Sequence, residues 1–195
     1  YLSAELVEQV LKSPDTAPQL GGEEVEAAVL FADIVGFTAR SENVKPAQVV
    51  RELNHYFSYI DPVIEQFDGV LDKRMGDGIM VVFVPRDDEA AIEHRRRALC
   101  CGLALLRTVQ EQNPLGAKLG IAPLQIRVGI AAGPTVRGNL GSHSQIEYTV
   151  IGDTVNLGSR LESSAEPGRL MVTKNIFDAA RTLDLEATEI SRQAS

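Results

Sequence analysis

Residues 70–84 read Val70-Leu71-Asp72-Lys73-Arg74-Met75-Gly76-Asp77-Gly78-Ile79-Met80-Val81-Val82-Phe83-Val84. A mixed run, 70–75, and an apolar run, 79–84, flank Gly76-Asp77-Gly78, which predicts a hairpin of two strands with Asp77 at its tip. Asp68-Gly69 predicts the turn leading in. A second aspartate, Asp33, follows the continuous apolar run Ala27–Ala32 and precedes Ile34-Val35-Gly36-Phe37-Thr38. That run reads as a central strand over 25–33. A carboxylate at the end of a buried strand is costly unless it is paired or bound to a cation. If strand 25–33 and the hairpin are neighbours, both carboxylates reach one edge of the sheet and invite a divalent metal site. Gly36 permits a tight turn there, after which backbone N–H groups of residues 34–38 can face phosphate oxygens. The competing reading makes Asp33 a cap and Asp77 a plain Asp-Gly turn residue. An isolated Asp-Gly favours the turn; two aspartates that each follow a buried strand favour the metal.

Working outward, Val49, Val50, Leu53, Tyr56, Phe57, Ile60, Val63, Ile64 and Phe67 recur at helical spacing from Pro46 to Phe67. Pro46 suits a first helical turn, and Pro62 predicts a kink or a break. Asp87-Asp88 predicts the start of a second long helix ending near Asn113-Pro114. Strands are expected over 124–131, 135–140, 145–151 and 170–173, with helices over 154–165 and 174–181. Hairpins interleaved with helices predict an α+β fold. At the amino end, residues 1–12 place Leu2, Leu6, Val7, Val10 and Leu11 on one helical face. Residues 13–24 read as a linker. Residues 1–24 are expected to lead in from an upstream domain, a first helix packed on its own domain being the equal alternative, and 25–195 to form the main folded unit. The chain starts at Tyr1 rather than Met, as a piece of a longer protein does.

The 195 residues are 44% hydrophobic and 24% charged, as in a soluble globular domain. A net charge of −8 argues against a nucleic-acid partner, whose phosphates reward clustered Lys and Arg. It does not argue against a nucleotide, because metal ions can neutralise its phosphates. The only cysteines, Cys100 and Cys101, are adjacent and sit in a helical pattern, which favours a reducing, cytoplasmic setting. No run reaches the roughly 18 apolar residues of a membrane-spanning helix.

Two further features carry chemistry. Asn156 and Arg160, in Asp153-Thr154-Val155-Asn156-Leu157-Gly158-Ser159-Arg160, are spaced i, i+4 on one helix face. An amide and a guanidinium together can grip a ribose and a phosphoryl group. By spacing alone a solvated face is favoured, with Arg160 paired to Glu162 or Glu166. Lys73, in an apolar strand, needs a partner or an exposed end. It either lies on the exposed sheet face or meets an acceptor atom of a base. His55, His94 and the run Glu93–Arg97 read as ordinary helix residues, the run as a solvated face.

FADIVGFT, DKRMGDGIM and YTVIGDTVNLGSRLE stand in this order across roughly residues 25–180. Together they resemble the class III adenylyl and guanylyl cyclase catalytic domain. The resemblance implies a ferredoxin-like antiparallel sheet with helices packed on it. It implies head-to-tail homodimers with active sites at their interface, and two Mg²⁺ or Mn²⁺ ions held by Asp33, Asp77 and the Ile34 carbonyl. Lys73 and Thr149 match the base-recognition pair, Asn156 the ribose-orienting residue and Arg160 the residue that stabilises the transition state. The implied reaction is in-line attack of the ribose 3′-hydroxyl on the α-phosphorus with loss of pyrophosphate. Adenine N1 is an acceptor and Lys a pure donor, so Lys73 favours ATP; guanine's N–H donors want a carboxylate. Thr149 can accept from the adenine amino group. The Lys/Thr pair is similar to that of the bicarbonate-responsive adenylyl subgroup. A guanylyl cyclase and a catalytically silent cyclase-like signalling domain are the alternatives. Two departures stand out. Residues 141–145 lack the Arg that many members carry there, leaving His143 and Arg137 nearby. The chain also ends at Ser195 before a phosphate-contacting Lys segment.

Overall fold

The computed structural model describes residues 21–181, apart from residues 88, 143 and 144 and the side chains of residues 142, 145 and 146. The helix and most of the linker expected over 1–24 lie outside the described residues, as do His143 and the tail beyond residue 181.

The order is β1 (Gly21–Ile34), α1 (Phe37–Ser41), α2 (Pro46–Gln66), β2 (Val70–Met75), β3 (Gly78–Phe83) and α3 (Glu93–Lys118). Then come β4 (Ile126–Ser142), β5 (Gln145–Ile151), α4 (Asp153–Ser164), β6 (Leu170–Val172) and α5 (Lys174–Ala180). The sheet runs β2-β3-β1-β4-β5, with β6 alongside β4. All pairs are antiparallel except β4 with β6. The β1-α2-β2-β3-α3-β4 unit is the split βαβ, ferredoxin-like arrangement.

The apolar run in β1 is continuous because both faces of the sheet are covered. Ala28, Leu30, Ala32 and Ile34 join Tyr56, Ile60 and Ile64 of α2 and Leu99, Leu105 and Val109 of α3. The alternate residues Ala27, Val29 and Phe31 join Met80, Val82 and Val150 on the other face. Helix α4 lies on that second face, and glycines set how closely. A Cβ on Gly129 would meet the Glu162 backbone nitrogen at 2.1 Å and the Gly158 carbonyl oxygen at 2.5 Å. Because both obstacles are backbone, Gly129→Ala is expected to cost about 3 kcal/mol by prising α4 from the sheet. Urea unfolding measures this, and an unchanged midpoint would contradict it.

Several boundaries differ from the sequence expectations. β1 begins at Gly21, four residues early, because it pairs with β4 from Gly21 opposite Asn139 to Ile34 opposite Ile126. The two strands expected over 124–131 and 135–140 are one strand, β4. Pro134 is tolerated because β4 changes partners around it: β6 lies beside 128–130 and β5 beside 136–142. The Thr154 hydroxyl donates to the Pro134 carbonyl at 2.8 Å, seating α4 at this switch. Neither Pro62 nor Pro114 ends its helix. Both prolines sit on exposed faces, where the carbonyls they orphan, of Ser58 and Gln110, are open to water. Asn113 also ties the end of α3 to β4. Its amide donates to the Leu124 carbonyl at 2.9 Å, and its oxygen accepts from the Leu124 N–H at 2.7 Å. The start of α3 is Glu93 rather than Asp87-Asp88.

The run Glu93–Arg97 is not a solvated face. Arg97 donates to the carbonyls of Val84 and Asp68 and pairs with Glu89, tying α3 to the residue after β3 and to the turn before β2. His94 is fully buried, with neither ring nitrogen hydrogen-bonded. Burial, and then the charge of Arg95, hold its imidazole below the ordinary value. The unfolded chain therefore binds a proton near pH 6.5 that the folded chain refuses. Stability is lost as pH falls through that value, by at most about 1.4 kcal/mol per unit, until the depressed folded pKa is reached. Chemical denaturation at pH 7.5 and 5.5 is expected to show a smaller loss for His94→Leu than for the native sequence. Equal losses would remove His94 as the cause.

Candidate active site

Asp33 closes β1, and Asp77 occupies the β2–β3 turn. Gly76, with φ 70°, takes the left-handed conformation that a two-residue turn requires. Since β3 is the hydrogen-bonded neighbour of β1, the turn comes down beside Asp33: a Cβ on Gly78 would lie 3.1 Å from Asp33 Oδ1. Burial, followed by the charge of Asp33, pushes the Asp77 carboxyl up to about 6. The backbone N–H of Ile34 acts the other way. Asp33 does not cap the following helix, whose N-cap is Gly36 without a side-chain hydrogen bond. Two converging carboxylates, one of them made costlier to ionise by burial and by its neighbour's charge, suit a hard divalent cation, which prefers oxygen donors. Among the described residues no third His, Cys, Asp or Glu completes a metal-sized group with them. One backbone donor expected at this turn is already used, because the Val35 N–H donates to the Gln125 carbonyl at 2.8 Å.

Sequence reasoning missed the support behind Asp33. Arg127 stands opposite it in the β1–β4 register, donating to Asp33 Oδ2 at 3.2 Å while its Nε lies 3.2 Å from Glu162 Oε1. Glu162 is buried on α4, so it faces the sheet and is not the exposed partner expected for Arg160. Only the cross-strand register, invisible in one dimension, puts residues 33 and 127 together.

Asn156 and Arg160 are exposed on α4, while Thr154, Gly158 and Glu162 face the sheet. At 100° per residue Asn156 and Arg160 lie about 200° and 240° around from Thr154. They point away from the face that carries Asp33. Among the described residues neither side chain has a hydrogen-bond or ion-pair partner. Leu157 and Ile151, both exposed, flank them.

Lys73 and Thr149 come from opposite edges of the sheet yet meet, because the sheet curls until Val150 packs with Met80 and Val82. Asp72, also missed by the sequence reading, joins them. The Thr149 hydroxyl donates to Asp72 Oδ2 at 2.7 Å, and Lys73 Nζ lies 3.4 Å from the same oxygen. Lys73 also reaches Glu147 Oε1 at 2.5 Å, so it is not idle on an exposed face. A cleft beside this cluster is lined by Leu71, Asp72, Val82, Arg137, Tyr148 and Thr149. Arg137 is engaged by Glu23 at 2.9 Å and lies 5.9 Å from the centre of the Tyr148 ring.

The fold and these clusters define a nucleotide cyclase domain. The sequence profile of the adenylate and guanylate cyclase catalytic domain matches residues 22–193, and the chain belongs to that family. It is 37% identical over 155 residues to an adenylate cyclase of Mycobacterium bovis, covering 78% of this chain and 33% of that one. Among solved structures it is similar to the adenylyl cyclase CyaB from P. aeruginosa, with 31% identity, TM-score 0.79 and 84% of each chain covered. It is also similar to the guanylyl cyclase Cya2, with 35% identity, TM-score 0.75, and 83% of this chain and 81% of that one covered. The chain spans about a third or less of the curated relatives' own length. No helix among the described residues is long and apolar enough to cross a membrane.

Proposed function

We propose that this domain converts ATP to 3′,5′-cyclic AMP and pyrophosphate at sites shared by two copies paired head to tail. The observation that carries this reading is the split within one chain. Asp33 and Asp77 converge at one end of the sheet, whereas Asn156 and Arg160 project outward from α4 with no partner among the described residues. A second copy brings its own outward pair over the carboxylates, and a closed two-fold arrangement makes two such sites. Leu157 and Ile151 supply apolar surface for that contact.

Asp33, Asp77 and the Ile34 carbonyl would hold two Mg²⁺ or Mn²⁺ ions. When bound, these neutralise the triphosphate and acidify the ribose 3′-hydroxyl. The rest falls to the chain's own groups. Asn156 orients the ribose so that its 3′-oxygen faces the α-phosphorus, and Arg160 offsets the charge that builds on the phosphoryl oxygens. Lys73 donates to adenine N1 and Thr149 accepts from the 6-amino group. Release of Lys73 from Glu147 precedes that contact. Because ATP is the substrate, we place the domain in the cytoplasm.

The test is an assay of purified protein with Mn²⁺ and either ATP or GTP, measuring the cyclic product. Cyclic AMP from ATP, with little cyclic GMP from GTP, is expected. Cyclic GMP as the main product would reverse the base assignment, and no product from either would leave a signalling domain without catalysis. The Thr149 position also supports stimulation by bicarbonate; an unchanged rate at constant pH with added bicarbonate removes that part.

A further inference from the structure

We propose that Asp72 sets the base preference of this site by holding the Thr149 hydroxyl as a hydrogen-bond acceptor toward the ligand. This rests on the reading of Lys73 and Thr149 as the base-binding pair. The β2–β3 register slips between Leu71 and Lys73, so Asp72 is the extra residue of a β-bulge. Bulges re-aim side chains, and here the carboxylate is turned inward to 6% side-chain exposure. Its Oδ2 lies 2.7 Å from Thr149 Oγ1. The Thr149 hydroxyl is the donor in that bond. Burial pushes the Asp72 carboxyl above its ordinary value, while the Thr149 hydroxyl and the Lys73 ammonium 3.4 Å away draw it back toward the ionised form, which has no proton to give. The proton in the bond therefore belongs to Thr149. A threonine hydroxyl has one proton and two lone pairs. With the proton directed at Asp72, only lone pairs remain for a ligand.

The consequence is a polarity code. Lys73 offers a donor and Thr149 an acceptor, side by side. A 6-aminopurine presents the complement: an acceptor at N1 and a donor at the 6-position. A 6-oxopurine presents N1–H and O6, wrong at both. Without Asp72 the hydroxyl rotates and can donate to O6, and half of the code is lost. Asp72 thus acts through Thr149, as a positioning residue.

The experiment measures binding rather than turnover. Calorimetry with 3′-deoxy-ATP and 3′-deoxy-ITP in Mn²⁺ uses ligands that lack the attacking hydroxyl and cannot cyclise. The native protein is expected to prefer the amino form about 100-fold or more. Asp72→Ala should reduce that preference about tenfold, and Thr149→Val should do the same. In the Thr149→Val background Asp72→Ala should change nothing further, because the hydroxyl it orients is gone. Should Asp72→Ala melt below the assay temperature, Thr149→Val still decides: full preference in that variant overturns the proposal. So do equal losses for both nucleotides in Asp72→Ala, or equal binding of both by the native protein. Absence of cyclic AMP from ATP, with these binding ratios intact, would count instead against the cyclase reading. No measurable binding of either nucleotide would overturn both.

Discussion

Mixing Asp33→Ala subunits with Asn156→Ala subunits is expected to restore cyclic AMP synthesis that neither variant shows alone. Each homodimer would lack one half of both of its sites. On the proposed head-to-tail pairing, in which Asp33 and Asn156 meet only across the two-fold contact, a heterodimer would hold one site with both defects and one site with neither. Random exchange makes half of the dimers mixed, each with one of two sites working, so recovery should approach about one quarter of the native rate. The prediction follows from the direction of α4. Asn156 and Arg160 are turned to solvent, while Glu162 and Gly158 of the same helix contact the sheet that ends at Asp33. No recovery, with subunit exchange verified by native mass spectrometry, would mean that one chain completes its own site.

Asp77→Asn should have the second largest effect, and opposite signs for activity and for stability without metal. The Asp77 carboxylate is half-buried beside Asp33, and burial and that neighbouring charge push it up to about 6. At neutral pH the native protein therefore holds two negative charges together at a cost. An amide of the same shape removes the repulsion. In chelator the variant is expected to melt a few degrees higher, a gain of about 1 kcal/mol. Adding Mn²⁺ should raise the melting temperature of the native protein, because a ligand that binds only the folded state stabilises it. The variant should respond far less, and its cyclase rate should fall by about 10³. An equal Mn²⁺ shift in both proteins would dissociate Asp77 from cation binding. Lower stability of the variant in chelator would show that Asp77 is structural.

The parts of the fold legible from the chain are those governed by neighbours in sequence. The hairpin over 70–84 forms because turn residues separate two strand-forming runs. The long helix after Pro46 forms because its apolar residues repeat every three to four positions. The errors came where a long-range partner overrode a local signal. Gly133-Pro134 looked like the end of a strand, but fourteen register pairs with β1 carry β4 through it. Arg95 and Arg97 looked like surface charges, but Glu26, Glu89 and the Val84 carbonyl lie within reach only after folding.

The same division runs through the site. Sequence by itself determined that Asp33 ends a buried strand, that Asp77 sits at a hairpin tip, and that Asn156 and Arg160 share a helix face; the strand before Asp77, expected to be buried, is instead a half-exposed edge strand. The correct ones follow from spacing, which backbone periodicity converts directly into direction, whereas the cyclase reading came from the resemblance of three motifs in order to that family. Only the tertiary structure decided that Arg127 braces Asp33, that Asn156 and Arg160 turn away from that aspartate, and that Asp72 links Lys73 to Thr149. Those contacts depend on strand register, a one-residue bulge and the curl of the sheet. Each is set by the packing of residues as many as 94 positions apart, so no local pattern encodes them.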